Sequence, residues 1–247
     1  MKLTHILLTG TSALLLAACD PSGTGAETDT GTNTETAETE TAETETETGE
    51  AEQTGPLAGT VASTYKLDPT HAFLTFTVVH GGISEYTVNF TDFDATLDFD
   101  PEDLSSSSVN VTINPQGLNV NYPGDFKAGH PDSPYDNWPE ALSNDERFLQ
   151  AGEYPEITFT STSVEQTGDT TGTVTGDLTF LGVTKPVTMD VVFNGSAAPS
   201  WNGGRVILGF DAETTINRSD FGQTSMQGAI SDEVMVEFAG EFVQPEE

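Results

Sequence analysis

The chain has 247 residues, with 40 Asp and Glu against seven Lys and Arg, a formal net charge of −33, and a single cysteine. So acidic a chain offers no basic footprint for nucleic acid and is repelled by anionic lipid headgroups, which argues against nucleic-acid binding and against direct adsorption on such a surface. One cysteine excludes an internal disulfide.

Residues 1–18 carry Lys2 followed by the apolar runs Ile6-Leu7-Leu8 and Ala13–Ala18, too short for a spanning helix and of signal-peptide form. Leu16-Ala17-Ala18-Cys19 looks like a bacterial lipobox. Cys19 is then the expected lipidation site, and the mature chain is exported and lipid-anchored to a bacterial membrane, periplasm-facing or at the cell surface. The alternative is ordinary secretory cleavage after Ala18, leaving a free thiol. Residues 19–60 are expected to be a disordered acidic tether. From residue 20 they hold 11 acids, no Lys or Arg, and repeats such as Thr44-Glu45-Thr46-Glu47-Thr48. Such a segment buries too little surface to offset its ordering entropy. About 40 flexible residues span roughly 35 Å, and more when charged. Residues 61–247 are of single-domain size and retain 29 acids against six bases, a formal charge of −23.

Within that domain, Tyr65-Lys66-Leu67-Asp68-Pro69-Thr70 leads into a β-rich run, His71–His80, with Leu74, Phe76 and Val78 on one face. His80 shares their parity and His71 does not. Gly81-Gly82 marks a turn. Over Tyr86–Asp100 the residues Phe93, Ala95, Leu97 and Phe99 lie opposite Asp92, Asp94, Asp98 and Asp100, whereas Val88 and Phe90 have the other parity, so a bulge is expected near Thr91-Asp92. The aspartates alternate along a strand face and do not fit a calcium-binding loop. Val109, Val111 and Ile113 alternate next. Residues 119–150, broken by Pro123, Pro131, Pro134 and Pro139, predict a long irregular connection, with one or two helical turns over Ala141–Leu149 and Phe126, Trp138, Leu142 and Phe148 packed on something.

Alternation returns at Ile157–Ser161 and is clearest in Thr173–Phe193. There Val174, Gly176, Leu178 and Phe180 share one face, and after the break Leu181–Pro186 so do Val187, Met189, Val191 and Phe193. That is an antiparallel hairpin with one wet face. Pro186, lacking an N–H, belongs in the turn or at the start of the second strand. Val206, Leu208, Phe210 and Ala212, then Val234, Val236 and Phe238, complete the count at about eight strands. With no long amphipathic helix to cover their apolar faces, they must form a sandwich or a closed barrel, and patterning alone does not choose.

Several segments together resemble the YceI-like family: Tyr65–His71, Phe76–His80, Phe148, Tyr154–Ser161, Gly176–Val187, Arg218–Gly222 and Ile230–Val234, in order over 64–243. The resemblance implies an all-β, eight-stranded antiparallel, lipocalin-like barrel with an elongated apolar cavity that binds polyisoprenoid lipids, such as isoprenoid quinones or prenyl pyrophosphates. Ala72 stands where the family usually has Ser, and the loop around Asp132–Trp138 is longer than is common.

On this reading the lining of the cavity is Leu74, Phe76, Val78, Phe93, Leu97, Leu178, Phe180, Met189, Val191, Phe193, Leu208 and Phe210. His71, His80, Arg218 and Trp138 are candidates for a headgroup or the mouth, and Arg218 has Asp220 or Asp232 as a candidate partner. An anionic pyrophosphate is repelled by a domain of charge −23, so a neutral quinone head is favoured. The function expected is a membrane-tethered carrier or sink for an apolar isoprenoid ligand, with no catalytic residue, no cofactor and no metal. The domain has no thiol, no Gly-x-Ser-x-Gly, no nucleotide loop and no metal spacing among His71, His80 and His130. A homodimer is among the states the sequence allows. The alternative is an envelope or adhesion β-domain whose core is filled.

Overall fold

The computed structural model describes residues 55–246; the signal peptide, Cys19 and all of the expected tether but residues 55–60 lie outside them. Ten strands form: β1 (Ser63–His80), β2 (Ser84–Phe90), β3 (Phe93–Phe99), β4 (Ser108–Ile113), β5 (Leu118–Val120), β6 (Ile157–Gln166), β7 (Thr171–Phe180), β8 (Val183–Ala197), β9 (Ile207–Asn217) and β10 (Glu233–Val243). Between β5 and β6 lie two short helices, α1 (Phe126–Gly129) and α2 (Trp138–Asn144). The ladder runs β1-β3-β4-β6-β7-β8-β9-β10 and returns to β1, so eight antiparallel strands close into a barrel. Closure removes the exposed edges that a sandwich would keep.

The remaining strands, β2 and β5, are upper continuations of β3 and β4. β1 pairs with β2 through Leu74–His80 and with β3 through Ser63–Lys66, so β2 and β3 are one strand broken at Thr91-Asp92, where the change of parity falls. β1 itself bulges at that height: between Leu67 and Ala72 it spends three more residues than β10 does. β4 and β5 part there too. The three interruptions make a crease across adjacent strands, pinned by Thr91 N–H to the Gly117 carbonyl (2.8 Å), Asn114 N–H to the Asp92 carbonyl (2.9 Å) and the Asn114 amide to the Asp92 carboxylate (2.7 Å).

The β7–β8 connection is tighter than the sequence pattern suggests. Leu181 (φ 48°) and Gly182 (φ 72°) alone make it, and β8 starts at Val183. Two positive φ values are what a two-residue hairpin needs to match the strand twist. Leu181 tolerates its strained backbone because its side chain is buried with Phe180 and Phe221. Gly182 is required twice, since a Cβ there would also lie 2.8 Å from the Tyr154 ring. Pro186 sits inside β8 opposite Asp177, in the part of the strand that β9 does not yet flank, so its missing N–H breaks no ladder on that side.

At one end of the barrel, here the lower, the side formed by β1, β3, β8, β9 and β10 is filled by side chains. Tyr65, Leu67, Ala95, Phe99, Phe193, Val206, Leu208 and Phe242 form a buried cluster, with edge-on ring contacts between Tyr65 and Phe99 (6.3 Å) and between Phe210 and Phe242 (6.1 Å). Leu57, from the last residues of the expected tether, packs on the same cluster. Burial there raises the Tyr65 phenol above its ordinary pKa, partly opposed by its 2.8 Å hydrogen bond to the Val61 carbonyl.

Candidate functional site

Above this floor the barrel is hollow. A cavity of about 610 Å³ runs between the strands, a volume in the range that encloses a small organic ligand. Its wall is built from one face of nearly every strand, because alternate residues of a barrel strand point inward. Leu74, Phe76 and Val78 of β1, Phe93 and Leu97 of β3, Leu178 and Phe180 of β7, Met189, Val191 and Phe193 of β8 and Phe210 of β9 all line it. Several of them, Phe76, Val78, Leu178, Met189 and Val191 among them, are only half-buried although they face inward. The space beside them is therefore not filled by other side chains, as it would be in a close-packed interior.

Leu208 is a correction to the expected lining. Its parity is that of Phe210, but it lies lower on β9, wholly buried in the floor, and does not reach the cavity. His71 is a second. It stands exposed on the outer wall in the β1 bulge, with Nδ1 2.9 Å from the Asp68 carboxylate, and it does not line the cavity. That hydrogen bond raises the His71 pKa, helped by the charges of Asp68 and Glu241. Burial pulls the Asp68 carboxyl upward, but hydrogen bonds from Thr70 and His71 outweigh it and leave the pKa lowered. Asp68, His71 and Glu241 bring one ligand-type atom each within 4.8 Å of one another, the one such group among the described residues, and none of the three lines the cavity.

The other polar candidates do meet the cavity at its upper end. His80 closes β1 and lines it. Trp138, at the start of α2, lines it from the centre of an aromatic stack. Its indole N–H donates to the Tyr86 hydroxyl at 2.8 Å, His130 lies parallel at 5.7 Å, Phe126 is at 5.6 Å, and Phe148 meets it edge-on at 5.9 Å. The stack forms a wall and does not plug the tube; Phe126 is buried behind it. The Asn137 side chain caps α2 by accepting from the Glu140 N–H at 2.9 Å, with Pro139 in the first turn, which holds Trp138 in place.

Arg218 is buried and also lines the cavity, but no carboxylate lies within salt-bridge distance of it among the described residues. Its guanidinium donates instead to the carbonyls of Ser231 (2.8 Å), Ser225 (2.7 Å), Gln223 (3.1 Å) and Ile230 (3.4 Å), and to the Gln223 side chain. The Gln223 amide in turn donates to the Arg147 carbonyl, tying this corner to the long connection. Of the two candidate partners, Asp220 makes no ion pair with Arg218 and Asp232 serves a different purpose. It accepts from Ser219 N–H at 3.0 Å and from its hydroxyl at 2.6 Å, and those bonds lower its pKa.

Tyr86, Tyr122, Leu142, Phe148 and Leu149 also line the upper part, outside the sequence-based set. The alternation of Tyr86 with Val88 and Phe90 was a signal for the first; the others sit in the irregular segment, where no period exists. The matching family model is that of the YceI-like domain, over residues 65–242. The chain belongs to the YceI-like family. Protein YceI of Salmonella arizonae is 39% identical over 186 residues, covering 74% of this chain and 88% of the relative, and that of Salmonella paratyphi B matches equally. The YceI protein of Campylobacter jejuni aligns in its crystal structure with a TM-score of 0.55 at 28% identity, over 66% of this chain and 88% of that one. A polyisoprenoid-binding domain from Saccharophagus degradans, implicated in plant cell wall breakdown, shares the fold with a TM-score of 0.52 at 16% identity, over 75% of this chain and all of that one. In this YceI-like chain the barrel seen in those structures encloses the apolar tube described above.

Proposed function

We propose that this YceI-like protein binds the hydrocarbon tail of a polyisoprenoid lipid in its barrel, and carries or sequesters it without chemistry of its own. The observation that carries the reading is the unfilled, carbon-lined tube of about 610 Å³. Each buried CH₂ contributes about 0.8 kcal/mol, so a prenyl tail gains enough to hold an otherwise insoluble lipid even after ordering losses. The polyisoprenoid-binding relative from Saccharophagus degradans supports the ligand class.

The head is neutral on this reading, an isoprenoid quinone in preference to a prenyl pyrophosphate. Arg218 is the one Lys or Arg in the lining, and its N–H groups are already directed at carbonyls and at Gln223. A pyrophosphate would bring negative charge to an acidic domain with no free donor fork to meet it. The chain is exported and held to a bacterial membrane through Cys19, with the acidic residues between Cys19 and Leu57, which packs on the barrel, as the leash.

Three ligands with one tail test this: geranylgeraniol, geranylgeranyl pyrophosphate and the menaquinone bearing a geranylgeranyl chain. Titration followed by native mass spectrometry is expected to give one-to-one complexes with the alcohol and the quinone, and at least ten-fold weaker binding of the pyrophosphate. Failure of all three to bind would leave a spacer domain. Preference for the pyrophosphate would overturn the choice of head.

A further inference from the structure

The two ends of the tube differ in charge. At the lower end its lining includes Glu165 and Asp169, at the β6–β7 turn, and the neighbouring β3–β4 loop carries Asp100, Glu102 and Asp103. At the upper end three tips approach the cavity: residues 79–84 between β1 and β2, residues 116–124 around β5, and residues 222–231 before β10. None of them contains an Asp, Glu, Lys or Arg, in a chain with 40 acids. The acids of this end, among them Glu85, Asp220, Asp232 and Glu233 and, on the segment of the two short helices, Asp125, Asp132, Asp136 and Glu140, fall outside these tips, and Asp232 is engaged by Ser219.

The same tips are apolar and exposed. Ile83 is 88% exposed at the β1–β2 turn, and Tyr122 and Met226 line the cavity while remaining 38% and 37% exposed. A residue that faces both the lumen and solvent marks an opening: Glu165 and Asp169 do so at the lower end, and Tyr122 and Met226 at the upper. The first and third tips are fixed to one another by Gly81 N–H to the Ala229 carbonyl (2.7 Å), Ser231 N–H to the Val79 carbonyl (2.9 Å) and Val79 N–H to the Ser231 hydroxyl (2.9 Å). They therefore form one rigid edge.

We infer that these three uncharged tips are the surface with which the protein docks on a lipid bilayer, so that an apolar ligand passes between membrane and tube without crossing water. The inference rests on the lipid-binding reading and names the partner of that same site. Charge in the lining is the complementarity that decides the end: the residues lining the lower end include Glu165 and Asp169, which meet anionic headgroups unfavourably, whereas those lining the upper end include no carboxylate. Exposed Ile and Met side chains beside a Tyr suit the headgroup–acyl boundary, where apolar bodies are buried and polar tips stay wet.

The test uses the mature chain, without residues 1–18 and with Cys19→Ser, so that neither signal peptide nor acyl chain can float it, and vesicles of phosphatidylcholine with one-quarter phosphatidylglycerol containing the geranylgeranyl menaquinone. Three quantities are read: co-flotation of protein, the rate of quinone transfer from vesicles, and equilibrium loading with quinone added from solvent. Ile83 does not line the cavity, so Ile83→Asp is expected to lower flotation and transfer about ten-fold with loading unchanged, and Ile83→Trp to raise both. Unchanged flotation and transfer in both variants, with loading intact, would overturn the docking surface. No loading in the parent would instead overturn the lipid-binding reading, and flotation of the empty protein would still decide the docking one.

Discussion

If the tube holds a tail, a bulky side chain that fills it must expel an equivalent length of chain. Val191 is suited to this experiment, because it lines the cavity and its ladder partners on either side are Gly172 and Ala212. Val191→Trp therefore meets no large neighbour on its flanks and projects into the lumen. It adds ~7 non-hydrogen atoms, and displacing as many chain carbons at about 0.8 kcal/mol each sets an upper bound of ~5–6 kcal/mol. A flexible tail recovers part of this by bending aside, which leaves ~2–3 kcal/mol, or roughly 30- to 150-fold weaker binding. Isothermal titration with the geranylgeranyl menaquinone measures the loss, and urea unfolding checks that the variant is as stable as its parent. Affinity within three-fold of wild type, in a folded Val191→Trp protein, would refute the claim that the ligand occupies this lumen.

Arg218→Met removes the donors that four carbonyls share. Such charge-assisted bonds contribute about 1.5–3 kcal/mol each when buried, and carbonyls near the surface recover some of it from water, so a loss of about 3 kcal/mol in urea unfolding with an unchanged m value is expected. Gly176→Ala would set a Cβ 2.4 Å from the Phe159 ring and 2.5 Å from the Thr160 carbonyl, and should cost ~1–3 kcal/mol by the same measurement. His71 has a folded-state pKa raised by Asp68, so its contribution to stability is full below the unfolded value near 6.5 and disappears as pH rises through the folded one. In Asp68→Asn an NMR titration of His71 should show its midpoint fall toward the ordinary value; no movement would remove Asp68 as the cause.

The inward faces were legible in the sequence because side chains of a strand alternate whatever its neighbours are, and Thr173–Phe193 shows the period over both arms of a hairpin. Height along the barrel was not. Leu208 and Phe210 have the same parity, yet one is in the floor and the other in the wall, and only the stagger of eight paired strands decides which. The break at Thr91-Asp92 could be read from a shift of parity, but β5, three residues long, is shorter than any period, and α1 is a single turn. Arg218 misled for a different reason. Sequence shows the carboxylates near it in the chain, whereas the corner of the fold surrounds it with backbone carbonyls that no residue type announces.

The crease has a consequence for how such a container can be altered. Because β1, the β2–β3 strand and the β4–β5 strand are all interrupted at one height, the collar carrying β2, β5 and the two short helices joins the body through the bonds of that belt, the β1–β2 ladder and the Gln223–Arg147 contact. The would-be Cβ of Gly117, 2.4 Å from that of Asp92, shows how closely that belt is drawn. A collar of different length or polarity can be spliced in above it while the pairing below keeps its register. On the proposed function, the end that would meet the ligand is thereby set apart from the floor that holds the vessel together.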